Sequence, residues 1–225
     1  MLRVAIDGPG GTGKSTIAKA IADRFGIQYI DTGAMYRAIA LKTIMCDVNQ
    51  DDEVSISKML DNTKIDFDNN KAMLDGEDVS DKIRTNEISM RASHVSRYSC
   101  VRRKVDNVSK YLASTRNVVM EGRDIGTVVI PDAEIKIFMT AKAEIRARRR
   151  VEQLLLAGKE AEYNQVLKEI NDRDYLDSNR AINPLRQSED AVYLDTSNMS
   201  VEENIDAVAD IITNRTGYQS IKEKR

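Results

Sequence analysis

The 225-residue chain has no tryptophan, three prolines, one histidine and two cysteines, and aromatic residues make up only 5% of it. Cys46 and Cys100 are too few for a disulfide scaffold and lack metal-ligand spacing, so both read as ordinary thiols of a reducing compartment. Charge of one sign is also missing: 34 Lys and Arg against 36 Asp and Glu leave a formal charge of −2. Such a balanced surface is not built to attract nucleic acid, and any selectivity for an anion must be local. No segment approaches 18 continuous apolar residues, and no charged stretch precedes an apolar one at the start of the sequence. The expectation is a cytoplasmic protein with no nucleic-acid or membrane partner, long enough to bury a substantial core as one domain or as a domain with an inserted lobe.

What is present begins early. Leu2, Val4 and Ile6 form a short apolar alternation, followed by Gly8-Pro9-Gly10-Gly11-Thr12-Gly13-Lys14-Ser15 and a helix-like run from Thr16 to Phe25. A strand feeding a glycine loop that opens a helix is the setting in which GxxxxGK[ST] cradles nucleotide phosphates. An accidental match is expected in on the order of 1% of chains this long, judging from average residue frequencies. Ile17, Ile21 and Phe25 recur every four residues, so one helix face is buried while its N-terminal amides point at the loop. Lys14 supplies a mobile positive charge and Ser15 a hydroxyl for Mg²⁺.

A second strand, 27–30, ends at Asp31-Thr32-Gly33, where Thr32 is placed to cap a helix carrying Met35, Tyr36, Arg37 and Ile39. Residues 47–57 read as a polar loop ahead of a short helical piece at Met59 and Leu60. Between 61 and 84, Ile65 and Phe67 alternate, Asp68-Asn69-Asn70 and Asp75-Gly76 mark turns, and weak strands of this kind predict a small antiparallel insertion. Helical stretches then carry Ile88, Ala92 and Val95, and Val101 to Leu112. Strands follow at 118–120, 135–139 and 192–194, with Ser200 and Glu203 forming a capping box for the final helix. Short hydrophobic strands separated by helices predict an α/β fold, a five-stranded, mostly parallel sheet covered on both sides. The core spans 1–60 and 85–214, with a short lid near 148–170, and residues 215–225 read as a polar tail.

A phosphate loop alone does not separate a switch, a motor and a kinase. Arginines gathered at the predicted strand ends are more telling: Arg37, Arg102 or Arg103, Arg123, the group 146–150, Arg173 and Arg180. Transfer between two anions needs their repulsion neutralised, and guanidinium forks suit phosphate oxygens. Each has a plainer alternative: an Arg123–Asp124 ion pair, a solvated helix face for Arg37 and the 146–150 group, a salt-bridge network for Arg173, Asp177 and Arg180 on one helical side. His94 is assigned a structural role, because a phosphate acceptor is already ionised and needs little proton abstraction.

These landmarks, IDGPGGTGKST at 6–16, DTGAMYR at 31–37, GEDVSDKIR at 76–84, EGRDIGTVV at 121–129 and RDYLDSNRA at 173–181, closely resemble those of the bacterial cytidylate (CMP) kinases across almost the whole chain. The resemblance implies the P-loop nucleoside monophosphate kinase fold, and transfer of the γ-phosphoryl group of ATP to CMP or dCMP with Mg²⁺. It implies ATP contacts from Gly8 through Thr16, with Ser15 at the metal. Acceptor contacts follow from Tyr36, Arg37, Ser93, Arg102, Arg123, Asp124, Asp177 and Arg180, and catalytic roles fall to Lys14, Arg123, Arg146, Arg150 and Arg173. A monomer is expected. The alternatives are a kinase of another nucleoside monophosphate or of a small acceptor such as shikimate, and a nucleotide-dependent switch, against which the lack of a convincing NKxD segment argues.

Overall fold

The computed structural model describes residues 1–68 and 70–221. The predicted turn at 68–70 therefore includes one residue, Asn69, outside the described residues, as are residues 222–225 of the expected tail. In chain order the elements are β1 Arg3–Asp7, α1 Lys14–Phe25, β2 Gln28–Asp31, α2 Thr32–Met45, α3 Glu53–Asp61, β3 Ile65–Asp68, β4 Lys71–Leu74 and β5 Glu77–Asp78. They continue with α4 Asn86–Val95, α5 Ser99–Thr115, β6 Val118–Gly122, β7 Ile135–Thr140, α6 Ala143–Leu156, α7 Tyr163–Asn179, β8 Val192–Asp195 and α8 Val201–Thr216. Five strands make one parallel sheet in the order β2-β6-β1-β7-β8, flanked by helices, and β3-β4-β5 form a separate antiparallel sheet. The α/β class, the five-stranded sheet and the antiparallel insertion match the sequence reading.

The chain divides into two compact units, residues 1–27 with 119–225, and residues 28–118. In the first, both faces of β1 and β7 are covered, so their apolar residues lie in the core; Val4, Ile6, Ile135 and Met139 are wholly buried. Ile17 and Ile21 of α1 and Val208 and Ile212 of α8 complete this core. The capping box of Ser200 and Glu203 is present at the start of α8. That helix runs to Thr216 and closes on Gly217 in the left-handed conformation, and Ser220, buried, donates to the Arg24 carbonyl. Residues 215–221 are thus partly docked, not the frayed tail the polarity suggested.

In the second unit the insertion follows the alternation that predicted it: Ile65 and Phe67 of β3 pair with Leu74 and Ala72 of β4, and all four are buried. Polar groups tie it to β2. Gln28 Nε2 and Arg116 Nη1 both donate to the Phe67 carbonyl, each at 3.0 Å, and the Tyr29 amide donates to Asn70 Oδ1. Two boundaries differ from expectation. The 47–57 segment is shorter as a loop, because Asp52 caps α3 through the Ser55 amide. At α2 the cap is Asp31, accepting from the Ala34 amide, and Thr32 is the first helical residue. No helix among the described residues is long and apolar enough to cross a membrane.

Candidate active site

The loop between β1 and α1 is shaped by glycines where side chains cannot go. Gly8 has φ +145°, and a Cβ there would lie 1.9 Å from the Met139 carbonyl oxygen. Gly13 sits in the left-handed region at the N-cap of α1 and offers no side-chain cap, so the first amides of the helix face the loop interior. Lys14 is only 5% exposed, and its ammonium donates to the Pro9 carbonyl at 2.7 Å. Burial first, then the Arg123 charge, pull its pKa down to about 7, against the opposing Glu121 and Asp7 charges. Thr12 is buried, while Ser15 and Thr16 are exposed on the first turn of α1.

Across this unit, Arg123 follows β6 and Gly122. Its Nε donates to Asp177 Oδ2 at 2.8 Å, and a Cβ on Gly10 would stand 3.5 Å from its Nη2, which puts the guanidinium beside the loop. Burial opposes its charge, but Asp177, Glu121 and Asp174 outweigh that and hold its pKa above the ordinary arginine value. Asp177 in turn is held low: burial works against it, and Arg123, Arg173 and Arg180 prevail. Arg180 meets Asp124 Oδ2 at 3.3 Å. In place of the Arg123–Asp124 ion pair that was the plainer alternative for Arg123, two pairs form, Arg123–Asp177 and Arg180–Asp124.

Two placements correct the sequence reading. Arg180 does not share a helical side with Arg173 and Asp177, because α7 ends at Asn179 and Arg180 is its extended C-cap. Tertiary pairing with Asp124, not helical periodicity, brings it to the same group. Arg146, given a catalytic role by the resemblance and a solvated helix face as its plainer alternative, is 4% exposed and turns its guanidinium to protein acceptors: the Ala141 and Gly10 carbonyls and Asp174. Arg150 is exposed and donates to Gln153 Oε1, and Arg173, with its side chain 61% exposed, has its Nε 4.0 Å from Asp177.

The second unit carries its own set. Arg37 Nη2 donates to Asp31 at 2.6 Å, while its buried Nε has no hydrogen-bond partner among the described residues. Arg102, nearly buried, lies with its guanidinium carbon 5.7 Å from the Tyr36 ring centroid and donates to the Ser96 carbonyl. Ser93 is exposed on α4. His94 pairs with Asp51 at 2.8 Å, the structural role expected of it.

Sequence reasoning missed Asp7, Asp31, Asp174 and Thr196. Asp7 and Asp31 stand inside the motifs at 6–16 and 31–37, so adjacency was an available signal. Thr196 had none: its hydroxyl, between β8 and α8, donates to the Thr12 and Thr140 carbonyls and its own carbonyl accepts from Arg149, contacts made only by the folded sheet.

A glycine loop between the central strand and a helix, with a buried lysine and converging guanidinium groups, defines a P-loop phosphotransferase of the nucleoside monophosphate kinase type. The chain belongs to the cytidylate kinase family, whose model, described as Cytidylate kinase, matches residues 4–214. It is 47% identical over 214 residues to a protein named Cytidylate kinase from Caldicellulosiruptor saccharolyticus, covering 93% of this chain and 95% of the relative. A relative of the same name from Caldanaerobacter subterraneus subsp. tengcongensis is 46% identical, with 96% of each covered. Among solved structures, TT1252 from Thermus thermophilus shares the fold at a TM-score of 0.51 and 14% identity, covering 96% of this chain and 98% of that one.

Proposed function

We propose that this protein transfers the γ-phosphoryl group of ATP to CMP or dCMP, forming ADP and CDP or dCDP. One observation carries the reading: the Arg123 guanidinium lies beside Gly10 of a glycine loop whose helix-opening lysine, Lys14, is buried. Cations held together in a poorly solvated place lower their energy by taking up an anion, and a polyphosphate supplies several charges at once.

On this reading the donor phosphates rest on the loop from Gly8 to Thr16, with Lys14 moving from the Pro9 carbonyl to a phosphate oxygen. Ser15 is the group that fits Mg²⁺: the residue is exposed on the first turn of α1, and no cluster of three acidic, histidine or cysteine side chains among the described residues could hold the ion alone. Magnesium takes most of its ligands from phosphate and water, so one hydroxyl suffices, and the bound ion neutralises donor charge. Arg123 offers its outer guanidinium nitrogens to the acceptor phosphate while Asp177 fixes its Nε. Asp177 also suits sugar hydroxyls, Asp124 and Arg180 suit the polar edge of cytosine, and Arg173 and Arg150 suit the transferred group. In the second unit Arg37, Tyr36, Ser93 and Arg102 are assigned to the acceptor. The acceptor oxygen is already ionised, so no general base and no covalent enzyme intermediate are required.

A product assay with ATP, Mg²⁺ and separate CMP, dCMP, UMP and AMP tests this. ADP and the matching diphosphate form fastest with CMP or dCMP; preference for AMP, or ADP formed equally well with no acceptor, would sink the reading.

A further inference from the structure

Asp7, the last residue of β1, is buried, and each of its carboxylate oxygens accepts a main-chain bond: Oδ1 from Ile125 at 2.8 Å and Oδ2 from Gly126 at 2.7 Å. Those amides open the π-helical segment 125–129. The leading N–H groups of any helix lack partners within it, and buried ones must find an acceptor elsewhere. The residue in the N-cap position is Asp124, a type favoured for capping with its own carboxylate. Its side chain makes no such bond. It meets Arg180 instead, while Asp7 reaches across from another strand to do the capping.

We infer that Asp7 is a positioning residue: by occupying the amides of Ile125 and Gly126 it keeps the Asp124 carboxylate turned toward Arg180, and so sets selectivity for the acceptor base. The inference rests on the role in base recognition assigned to Asp124 above. The close approach is permitted by Gly126, where a Cβ would stand 3.4 Å from Asp7 Oδ2 and 3.2 Å from Lys136 Cδ. With Asp7 gone, two buried donors lose their acceptors, and the carboxylate of the adjoining N-cap residue is the one that can turn back to meet them. Asn in place of Asp7 would set an amide donor against a main-chain donor, leaving one N–H unmet.

The experiment compares kcat/KM for CMP and UMP, and KM for ATP, in the wild type, Asp7→Asn, Asp124→Asn and the double variant. Asp7→Asn lowers the CMP-to-UMP ratio about tenfold, the loss corresponding to one unmet buried hydrogen bond. Asp124→Asn lowers it too, and the double variant falls no further than Asp124→Asn alone, because Asp7 acts through Asp124. If Asp124→Asn lowers the ratio and Asp7→Asn depresses both acceptors equally, the inference about Asp7 is wrong and the reading of Asp124 survives. If Asp124→Asn leaves the ratio unchanged, the reading of Asp124 fails and takes the inference with it. Capping is also read without any substitution: amide exchange at Ile125 and Gly126 in the wild type is slowed on the order of a hundredfold or more, and exchange at the rate of an open loop would overturn the arrangement.

Discussion

The Nη1 of Arg146 donates to the carbonyl oxygen of Gly10 at 3.0 Å, so the helix α6 grips the phosphate loop from its carbonyl side. The same guanidinium donates to the Ala141 carbonyl at 2.8 Å and to Asp174 of α7 at 2.5 Å. Arg149 reaches the loop indirectly, through Thr196, whose hydroxyl donates to the Thr12 carbonyl at 3.1 Å. Two carbonyls of the loop are thereby held by groups from outside it.

Arg146→Lys therefore weakens donor binding more than acceptor binding. One ammonium cannot reproduce three bonds aimed along a planar fork, and the Gly10 carbonyl and Asp174 compete for it. We expect KM for ATP to rise about tenfold and stability to fall by about 2 kcal/mol, measured by steady-state kinetics and urea unfolding. A rise confined to KM for CMP would contradict this role.

Gly13→Ala isolates backbone strain, and Gly8→Ala adds a steric collision to it. At Gly8 a methyl group would collide with the Met139 carbonyl, whereas at Gly13, φ +94°, it would meet nothing within 4 Å. Gly13→Ala costs about 1–2 kcal/mol, the strain of a left-handed alanine. Gly8→Ala exceeds about 4 kcal/mol because β1 and β7 must separate. Equal losses in urea unfolding would show that β7 yields readily.

The Asp7 carboxyl gives a pH signature opposite to that of most acidic residues. Burial pushes it from the ordinary 3.8 up to about 6; the Asp124 charge adds to the rise, and the Gly126 and Ile125 bonds and Lys14 oppose it. Between those values the folded protein keeps a proton that the unfolded chain has released. Its contribution to stability is thus complete below about pH 4 and lost as pH rises through 6, a change of about 3 kcal/mol. Wild-type stability minus that of Asp7→Asn falls by this amount between pH 4 and 7 in urea titrations; parallel curves would place the Asp7 titration elsewhere.

Much of this was legible beforehand. The loop at 8–15, the buried strands and the 61–84 insertion each follow from local spacing, because glycine, alternation and four-residue recurrence act over a few residues. Arg123 was likewise marked by its place after a buried strand and Arg173 by its helical spacing to Asp177, whereas the role of Asp124 came only with the family resemblance. The partners of Arg146 were not legible, because an arginine one turn into a helix looks the same whether it faces solvent or a carbonyl. Arg180 meets Asp124 as the C-cap of α7, and not as the helical neighbour of Arg173 and Asp177 that its spacing suggested.

The amino-acid order by itself determined the class of fold, the phosphate loop and the family, since these rest on contiguous patterns. Only the tertiary structure decided the partnerships: Arg123 with Asp177, Arg180 with Asp124, Arg146 with Gly10, Asp7 with the amides of Ile125 and Gly126. A buried charge or amide settles on whichever opposite group the closed core brings within about 3 Å. That choice joins residues as far as 136 positions apart in the Arg146–Gly10 bond, a distance over which no local pattern reaches.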